Sequence, residues 1–171
     1  MSEQRAGSYG CLIRLRAGSP SWTLGRPVPG GDKQAMAFEL YGMLGDKAPD
    51  ITLDSMASDL RRFFSRTEGF HLELEDDPFG APARNVLLSW GGWWMRVFYE
   101  SGPDVAAESA AIAVFADAAV KENVAHIDRR IRVLVADDED REHTNHAIFM
   151  MDFLREISDA TIFDPQQQAF L

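Results

Sequence analysis

Apolar residues recur along this chain at two spacings, one typical of helices and one typical of strands. Helical spacing of three and four residues appears twice between residues 36 and 64, which predicts two helices joined near Pro49. The apolar positions are Met36, Leu40, Met43 and Leu44 in the first helix, and Met56, Leu60, Phe63 and Phe64 in the second. Thr52 or Asp54 is a suitable N-cap for the second helix, and Gly69 is a suitable end.

Alternating apolar and polar residues predict strands. Residues 10–16 form one candidate, and residues 70–75 form a second, half-buried strand with an acidic outer side. The segment 85–100, NVLLSWGGWWMRVFYE, is rich in β-forming residues on both sides of Gly91 and Gly92. Because two glycines accept the positive φ of a tight turn without steric cost, this segment predicts a hairpin.

The second half of the chain alternates predicted helices with short strands. An alanine-rich stretch over 104–120 predicts a helix, the apolar run 131–136 a central strand, and residues 140–157 a last helix. The ending TIFDPQQQAFL predicts a strand, a turn at proline and a further strand. Together these elements predict an α+β fold: a single-domain sandwich over 1–171, in which a mixed sheet of about five or six strands, including the Gly-Gly hairpin, is packed by three or four helices.

Length and composition agree with one domain. A chain of 171 residues, 46% of them hydrophobic, can bury one core and is too short for two independent domains. It lacks an apolar run near the ~20 residues of a membrane helix, and MSEQRAGSYG lacks the charged-then-apolar pattern of a signal peptide. Cys11 is the single cysteine, so no internal disulfide can form. We therefore expect a cytoplasmic protein that does not associate with membranes.

Acidic residues outnumber basic residues by 27 to 17, which gives a formal net charge of -10. Such a surface repels the phosphates of nucleic acids and favours a basic protein partner. The two basic clusters are short and are interpreted as solvated ends of helices or strands rather than a binding patch. These clusters are Arg61 with Arg62, and Arg129 with Arg130 and Arg132. We expect a protein partner and no nucleic acid.

Candidate chemistry concentrates in residues 131–142, IRVLVADDEDRE, where an apolar strand runs into four consecutive acids. VLVADDED resembles the opening of response-regulator receiver domains, whose paired acids hold magnesium beside a phosphorylated aspartate. That family needs a long doubly wound chain and a later lysine. No lysine follows Asp140 here, so we reject the receiver interpretation.

The same acids have two further interpretations. Asp137, Asp138 and Asp140, together with His143, could ligate magnesium, manganese or iron. Alternatively, the acids stabilise the positive end of the following helix, where Asp is a preferred N-cap. Capping is the simpler interpretation of the acids. His143 and His146 are three residues apart and could both reach one ion, but a third ligand at matching spacing is missing. His146 falls on an apolar stripe, where we expect a hydrogen-bonded core or boundary histidine.

The overall pattern resembles the small acidic immunity proteins that bacteria encode beside antibacterial toxins. The resemblance rests on a compact α+β body, the excess of acids, the aromatic segment SWGGWWMRVFYES and the ending FLREISDATIFDPQQQAFL. It implies a non-enzymatic protein without cofactor that binds a basic toxin domain and occludes its active site. The contact candidates are Trp93, Trp94, Tyr99, Asp137, Asp138, Glu139 and Asp140. Core filling is expected for at least half of the aromatic residues in the hairpin.

Two alternatives stay open. A small metal-dependent hydrolase would use the acidic cluster between Asp137 and His143. An oligomeric accessory protein would bury aromatic residues on the outer side of the hairpin by self-association. The sequence leaves the choice between a monomer and a dimer open.

Overall fold

The computed structural model describes residues 36–76, 84–156 and 158–171. The strand predicted at 10–16, and with it Cys11, lies outside the described residues. In the described part of the chain the elements are β1 Met36–Leu44, α1 Leu53–Phe63, β2 Phe70–Asp76, β3 Arg84–Trp90, β4 Trp93–Ser101, α2 Pro103–Ile112, a 3-10 turn Ala113–Phe115, α3 Ala118–Val124, β5 Arg129–Ala136, α4 Thr144–Glu156, β6 Ala160–Asp164 and β7 Ala169–Phe170. The α+β class predicted from the sequence is confirmed.

The strands of the described residues form one sheet in the order β2-β3-β4-β5-β1-β6-β7. Every neighbouring pair runs antiparallel, so the sheet is antiparallel rather than mixed. It has seven strands within these ranges, more than the five or six predicted. β5 lies at the centre, as its apolar run predicts, and the chain leaves its end directly into the consecutive acids.

The first predicted helix is wrong, because residues 36–44 form β1 between β5 and β6. The alternation of a strand is hidden in the sequence since Gly42 occupies a position that faces α4 and carries no apolar side chain. A Cβ on Gly42 would lie 3.0 Å from Leu154 Cδ2 and 3.3 Å from Ala160 Cβ. The residue that conceals the strand pattern is therefore the one that lets α4 approach the sheet closely.

The Gly-Gly hairpin is confirmed. β3 and β4 pair from Trp90 and Trp93 outward, and the turn residues Gly91 and Gly92 have φ of 59° and 107°. β2 pairs with the other side of β3 and shows the half-buried pattern that its alternation predicts. Three consecutive strands therefore form a meander at one side of the sheet.

The second predicted helix, α1, is confirmed with an earlier end. Thr52 caps it in a capping box: Thr52 Oγ1 accepts from the Ser55 N–H at 3.1 Å, and Ser55 Oγ accepts from the Thr52 N–H at 2.9 Å. α1 ends at Phe63 rather than near Gly69, whose φ of 71° belongs to the turn before β2.

The bounds of the later helices differ from those that the apolar spacing predicts. The helix predicted over 104–120 is α2, a 3-10 turn and α3, because the chain is extended at Ala116 and Asp117 caps a new helix. α4 begins at Thr144, later than predicted, so residues 137–143 are loop. The strand, turn and strand predicted for the C-terminus are confirmed by β6 and β7.

Helices cover the two faces of the sheet unequally. α1 and α4 pack on one face, the main face, and α2 and α3 pack on the other, the second face. The main-face core includes Met56, Leu60, Met150, Phe153 and Leu154 from the helices and Leu40, Val86, Met95, Val97, Val133 and Val135 from the strands. The smaller second-face core includes Met43, Ile112, Val124 and Phe163. The smaller core covers only part of the second face, and charged side chains occupy much of the rest.

The described ranges all belong to one compact unit, Asp32–Leu171. The single domain over 1–171 stays a prediction. No helix within the described ranges is long and apolar enough to cross a membrane.

Candidate functional site

The consecutive acids form a loop at the end of the central strand. Residues 137–142, the acidic loop, connect β5 to the residue before α4 and contain five acids and one arginine. Glu139, Asp140 and Glu142 are exposed, whereas Asp137 and Asp138 are half-buried. The loop therefore presents carboxylates to solvent at the end of the central strand of the sheet.

Hydrogen bonds within the loop explain its shape. The Asp138 carboxylate accepts from the His143 N–H at 3.1 Å and from the Thr144 hydroxyl at 3.1 Å. Asp137 Oδ1 accepts from the Asp138 N–H at 2.9 Å, and the Arg141 N–H donates to the Asp138 carbonyl at 3.0 Å. The acids thus lie before α4 rather than in its first turn, and Asp138 alone bonds to the start of the helix.

Trp93 contacts the residues on both sides of the acidic loop, Ala136 and His143. Its indole N–H donates to the Ala136 carbonyl at 3.2 Å, at the last residue of β5. Its ring stacks on the His143 imidazole with a centroid distance of 4.8 Å and an interplanar angle of 11°. Trp93 is only 2% exposed, so it positions the loop from the interior, and little of its surface is open to the contact that the sequence predicts.

His143 and His146 lie against the two tryptophans of the hairpin. The His146 ring is 4.5 Å from the Trp90 ring and 5.4 Å from the His143 ring, centroid to centroid. Burial, and next the charge of His143, lower the pKa of His146 below its ordinary value. The boundary position predicted for His146 is confirmed, since the residue is half-buried, and within the described residues its buried Nδ1 has no hydrogen-bond partner. The hydrogen bond predicted for its ring stays a prediction.

The side chains of the acidic loop and His143 are poorly arranged to bind a metal ion. Within the described residues, no group of three or more His, Cys, Asp or Glu side chains is arranged to hold a metal ion. The Asp138 carboxylate is engaged by the start of α4, and the His143 ring is engaged by Trp93. Local structure therefore accounts for two of the four ligands that the hydrolase interpretation requires.

An open pocket, the loop pocket, lies between the acidic loop, the start of β1 and α4. Its volume is about 470 Å³. It is lined by Phe38, Trp93, Ala136, Asp137, Asp138, Arg141, His143, Thr144, Ala147, Ile148 and Met151. The sequence did not predict this pocket, because Phe38 comes from a strand that was predicted as a helix. Ile148 is 44% exposed, which places apolar surface at the edge of the pocket.

The other aromatic contact candidates lie elsewhere. Trp94 is half-buried on the second face, with the Arg96 guanidinium carbon 4.3 Å from its ring centroid. Tyr99 is half-buried against the main-face core. It is six residues along β4 from Trp93, a separation of about 20 Å in a strand. The structure therefore brings together the four acids and Trp93, and separates Trp94 and Tyr99 from them.

Arginines of the second face form ion pairs with acids that we did not predict from the sequence. We call this network the arginine ladder: Arg96, Arg130 and Arg132, with Glu39, Glu75, Glu100 and Glu108. Arg130 pairs with Glu100 at 2.6 Å and with Glu108, and its guanidinium carbon lies 4.2 Å from the Tyr41 ring centroid. The Arg130 side chain is 7% exposed, so the interpretation of this cluster as a solvated strand end is wrong.

Burial and ion pairing shift the pKa values of two ladder residues and of the neighbouring Tyr41. Burial alone would lower the pKa of Arg130, but the carboxylates of Glu100 and Glu108 outweigh it and raise that pKa above its ordinary value. Burial also raises the pKa of Glu39, although Arg132 and Arg130 oppose the rise. Burial, and next the Glu39 carboxylate, raise the pKa of Tyr41 to about 12. The pKa values of Arg130 and Glu39 therefore depend on their burial and pairing in the folded protein.

The sequence contains a signal for this ladder. Charged residues lie at even separations in two strands: Arg96 and Glu100 are four positions apart, and Arg130 and Arg132 are two positions apart. A period of two places each pair on one side of its strand. Opposite charges on neighbouring strands then meet across the sheet, which can be predicted only once the strand order is known.

Comparisons of the chain with protein-family models, with curated proteins and with solved structures found no match.

Proposed function

We propose that the protein is a non-enzymatic acidic binding protein, an immunity protein that neutralises a cognate toxin by occluding its basic active-site cleft. The observation that carries the proposal is the exposed acidic loop beside the open, mainly apolar loop pocket. An apolar centre within a charged rim is the usual composition of a protein interface.

The charge of the acidic loop supports this proposal. Within the described ranges, the ion pairs involve acids of the helices, of the strands and of the segment before α1, and none involves an acid of residues 137–142. Carboxylates without cationic partners attract and orient a basic protein before contact. The loop therefore supplies the electrostatic part of the interface.

Exposed apolar residues of α4 supply the other part. Ile148 and Phe149 are each 44% exposed, one turn after the start of the helix. Exposed large apolar residues that adjoin a pocket with a polar rim are typical of protein interaction sites. Trp94 and Tyr99 do not belong to this surface, since neither lines the loop pocket and Tyr99 lies far along β4.

The proposal is tested by expressing the tagged chain at native level in its own host and identifying the protein that co-purifies with it. We expect one basic protein in stoichiometric amount, which stops growth when expressed alone and does not when this chain is co-expressed. Its affinity should fall between about 0.05 and about 0.5 M salt, because salt screens exposed charges. A captured protein that is harmless to growth, or recovery of the chain alone, would contradict the proposal.

Two double variants with reversed charges test whether the acidic loop is the surface that binds the partner. Glu139→Lys with Asp140→Lys changes two exposed acids of the loop, and we expect it to release the partner. Asp104→Lys with Glu122→Lys makes the same change in charge at exposed positions of α2 and α3, and we expect it to retain the partner. Equal release by both double variants would show that the general charge of the protein, rather than the loop, holds the partner.

Titration of the protein with Mn²⁺ distinguishes the binding-protein proposal from the hydrolase alternative. The binding-protein proposal predicts no saturable binding of Mn²⁺ by the wild type. Saturable binding that disappears in Asp137→Ala with His143→Ala, while the domain stays folded, would overturn the proposal in favour of a metal site.

A further inference from the structure

We infer that the loop pocket receives a lysine or arginine side chain of the partner, with its aliphatic part on the apolar wall and its cationic end at the Asp137 carboxylate. The inference rests on the proposed function, because it names what the partner places in the same surface. It goes further by assigning one recognition pocket and one acid within a loop that contains five.

The wall of the pocket suits an aliphatic chain. A volume of about 470 Å³ falls within the range of roughly 300–1,000 Å³ that is typical of ligand pockets. The wall away from the loop is formed by Phe38, Ala147, Ile148 and Met151, whose side chains are apolar, with the weakly accepting sulfur of Met151 as their only hydrogen-bonding atom. Methylene groups placed there lose contact with water at no cost in unsatisfied polar groups.

The rim of the pocket suits a cation at one position in particular. Two acids line the pocket, Asp137 and Asp138. The Asp138 carboxylate is already engaged by the His143 N–H and the Thr144 hydroxyl. Asp137 accepts one hydrogen bond through Oδ1, from the Asp138 N–H, and within the described residues its Oδ2 accepts none. Asp137 is therefore the acid with a free oxygen for an incoming cation.

A long cationic side chain fits this combination better than other occupants. An apolar side chain would cover Asp137 and leave a carboxylate desolvated without a partner, which is costly. A small ion would leave the apolar wall exposed to water. Lysine and arginine combine an apolar chain with a charged end, so they satisfy the wall and the rim together.

Among the described residues that line the pocket, Arg141 is the one arginine or lysine, and its charge opposes an incoming cation. It lies in the acidic loop with φ of 59°, in the left-handed region. Removal of its charge in Arg141→Gln should therefore tighten binding of a cation in the pocket by about two- to fivefold, as expected for like charges near a protein surface.

The inference is tested with small analogues of the two side chains, n-butylguanidinium and n-butylammonium. The uniformly ¹⁵N-labelled full chain is titrated with each by NMR, with n-butylurea as the neutral analogue of the same shape. We expect saturable shifts of the acidic-loop amides and of the Trp93 indole N–H with both cations. Binding of n-butylurea should be at least about fivefold weaker, since it lacks the charge. Equal binding of the urea and the guanidinium, or shifts that do not saturate, would overturn the inference.

Two variants identify the acid. Asp137→Asn keeps an Oδ1 acceptor for the Asp138 N–H and removes only the charge, and it should weaken n-butylguanidinium binding at least about fivefold. Glu142→Gln removes the same charge from an exposed residue of the same loop that does not line the pocket, and it should change binding less than about twofold. Equal weakening by both would show attraction to the loop as a whole and contradict the assigned role of Asp137.

The outcome also separates this inference from the proposed function. If the co-purified toxin binds Asp137→Asn as tightly as Glu142→Gln, the pocket assignment fails and the binding function stands. If no toxin is recovered from the host, the proposed function fails, whatever the analogues show.

Discussion

Acids occupy two regions of this protein, and they behave differently in each. In the arginine ladder, Glu100 lies 2.6 Å from Arg130 and 3.0 Å from Arg132. In the acidic loop, Asp137 and Asp138 hydrogen-bond to backbone and hydroxyl groups, and the remaining acids face solvent. The same residue type stabilises the fold in one region and presents charge in the other. With five acids and one arginine, the acidic loop contributes four of the ten net negative charges of the chain.

The two regions are also held in place by different interactions. The ladder is held by its own ion pairs across β4, β5 and β1. The acidic loop is held by Trp93 and by hydrogen bonds to the carboxylates of Asp137 and Asp138, so the charges of its exposed acids can change without loss of its shape. Mutations that remove these interactions should therefore lower the free energy of unfolding by different amounts in the two regions.

The largest effect is expected for Trp93→Ala. It leaves a cavity in the main-face core, removes the hydrogen bond to Ala136 and frees the His143 ring, and it should lower the free energy of unfolding by about 3–5 kcal/mol. Urea unfolding followed by circular dichroism measures this loss. Trp94→Ala is the control, because Trp94 is half-buried on the second face and should cost less. Equal losses for the two variants would contradict the role of Trp93 beneath the loop.

A smaller but clear loss is expected for Arg130→Met in the ladder. Glu100 and Glu108 lose their common partner, and because both acids are partly exposed the loss should be about 2–3 kcal/mol, below that of a fully buried pair. The control is Arg62→Met in α1, whose ion pair with Asp59 is exposed and should contribute less than about 1 kcal/mol. The same urea experiment applies. A loss as small as that of the control would show that the ladder does not stabilise the fold.

The sequence predicts the acidic loop more completely than the ladder, for a physical reason. The loop is contiguous in the chain, so an apolar run followed by acids is sufficient to place it after a central strand. The ladder joins Glu39 on β1 to residues of β4 and β5, and β1 was predicted as a helix because Gly42 hides its alternation. Local patterns identify a loop, whereas a network across strands depends on the strand order.

Trp93 shows the same limit within the loop itself. Its abundance of aromatic neighbours in the sequence suggests either a core residue or a surface contact. The contact that decides between them joins Trp93 to Ala136, 43 residues away in the chain. No spacing within the hairpin contains that information. The location of the acids could be predicted, and the residue that positions them could not.

A pH dependence is expected from the histidine beside the loop. Burial, and next His143, lower the pKa of His146 in the folded state, so the unfolded state binds the proton more tightly. The contribution of His146 to stability is therefore complete above its ordinary pKa of about 6.5 and is lost as the pH falls below it, with Asp138 opposing the loss by its negative charge. Free energies of unfolding at several values of pH measure this dependence.

The control for the pH dependence is His146→Phe, which keeps an aromatic ring on Trp90 and cannot be protonated. The stability of the wild type relative to this variant should decrease as the pH falls through the titration of histidine. A difference that stays constant across that range would show that His146 binds protons equally in the folded and unfolded states.

The smallest effect on stability is expected where carboxylates are neutralised in the acidic loop. Glu139→Gln with Asp140→Asn removes two exposed charges that make no ion pair within the described residues, and it should change the free energy of unfolding by less than about 0.5 kcal/mol. Glu100→Gln removes one carboxylate from the ladder and should cost about 1–3 kcal/mol, because Arg130 and Arg132 lose their shared partner. The affinity for a basic partner should change in the opposite order, with a large loss for the loop variant and little change for Glu100→Gln. If the loop variant lost stability, or if Glu100→Gln lost affinity, the division between structural and presented acids would be wrong, since each region would then serve both purposes.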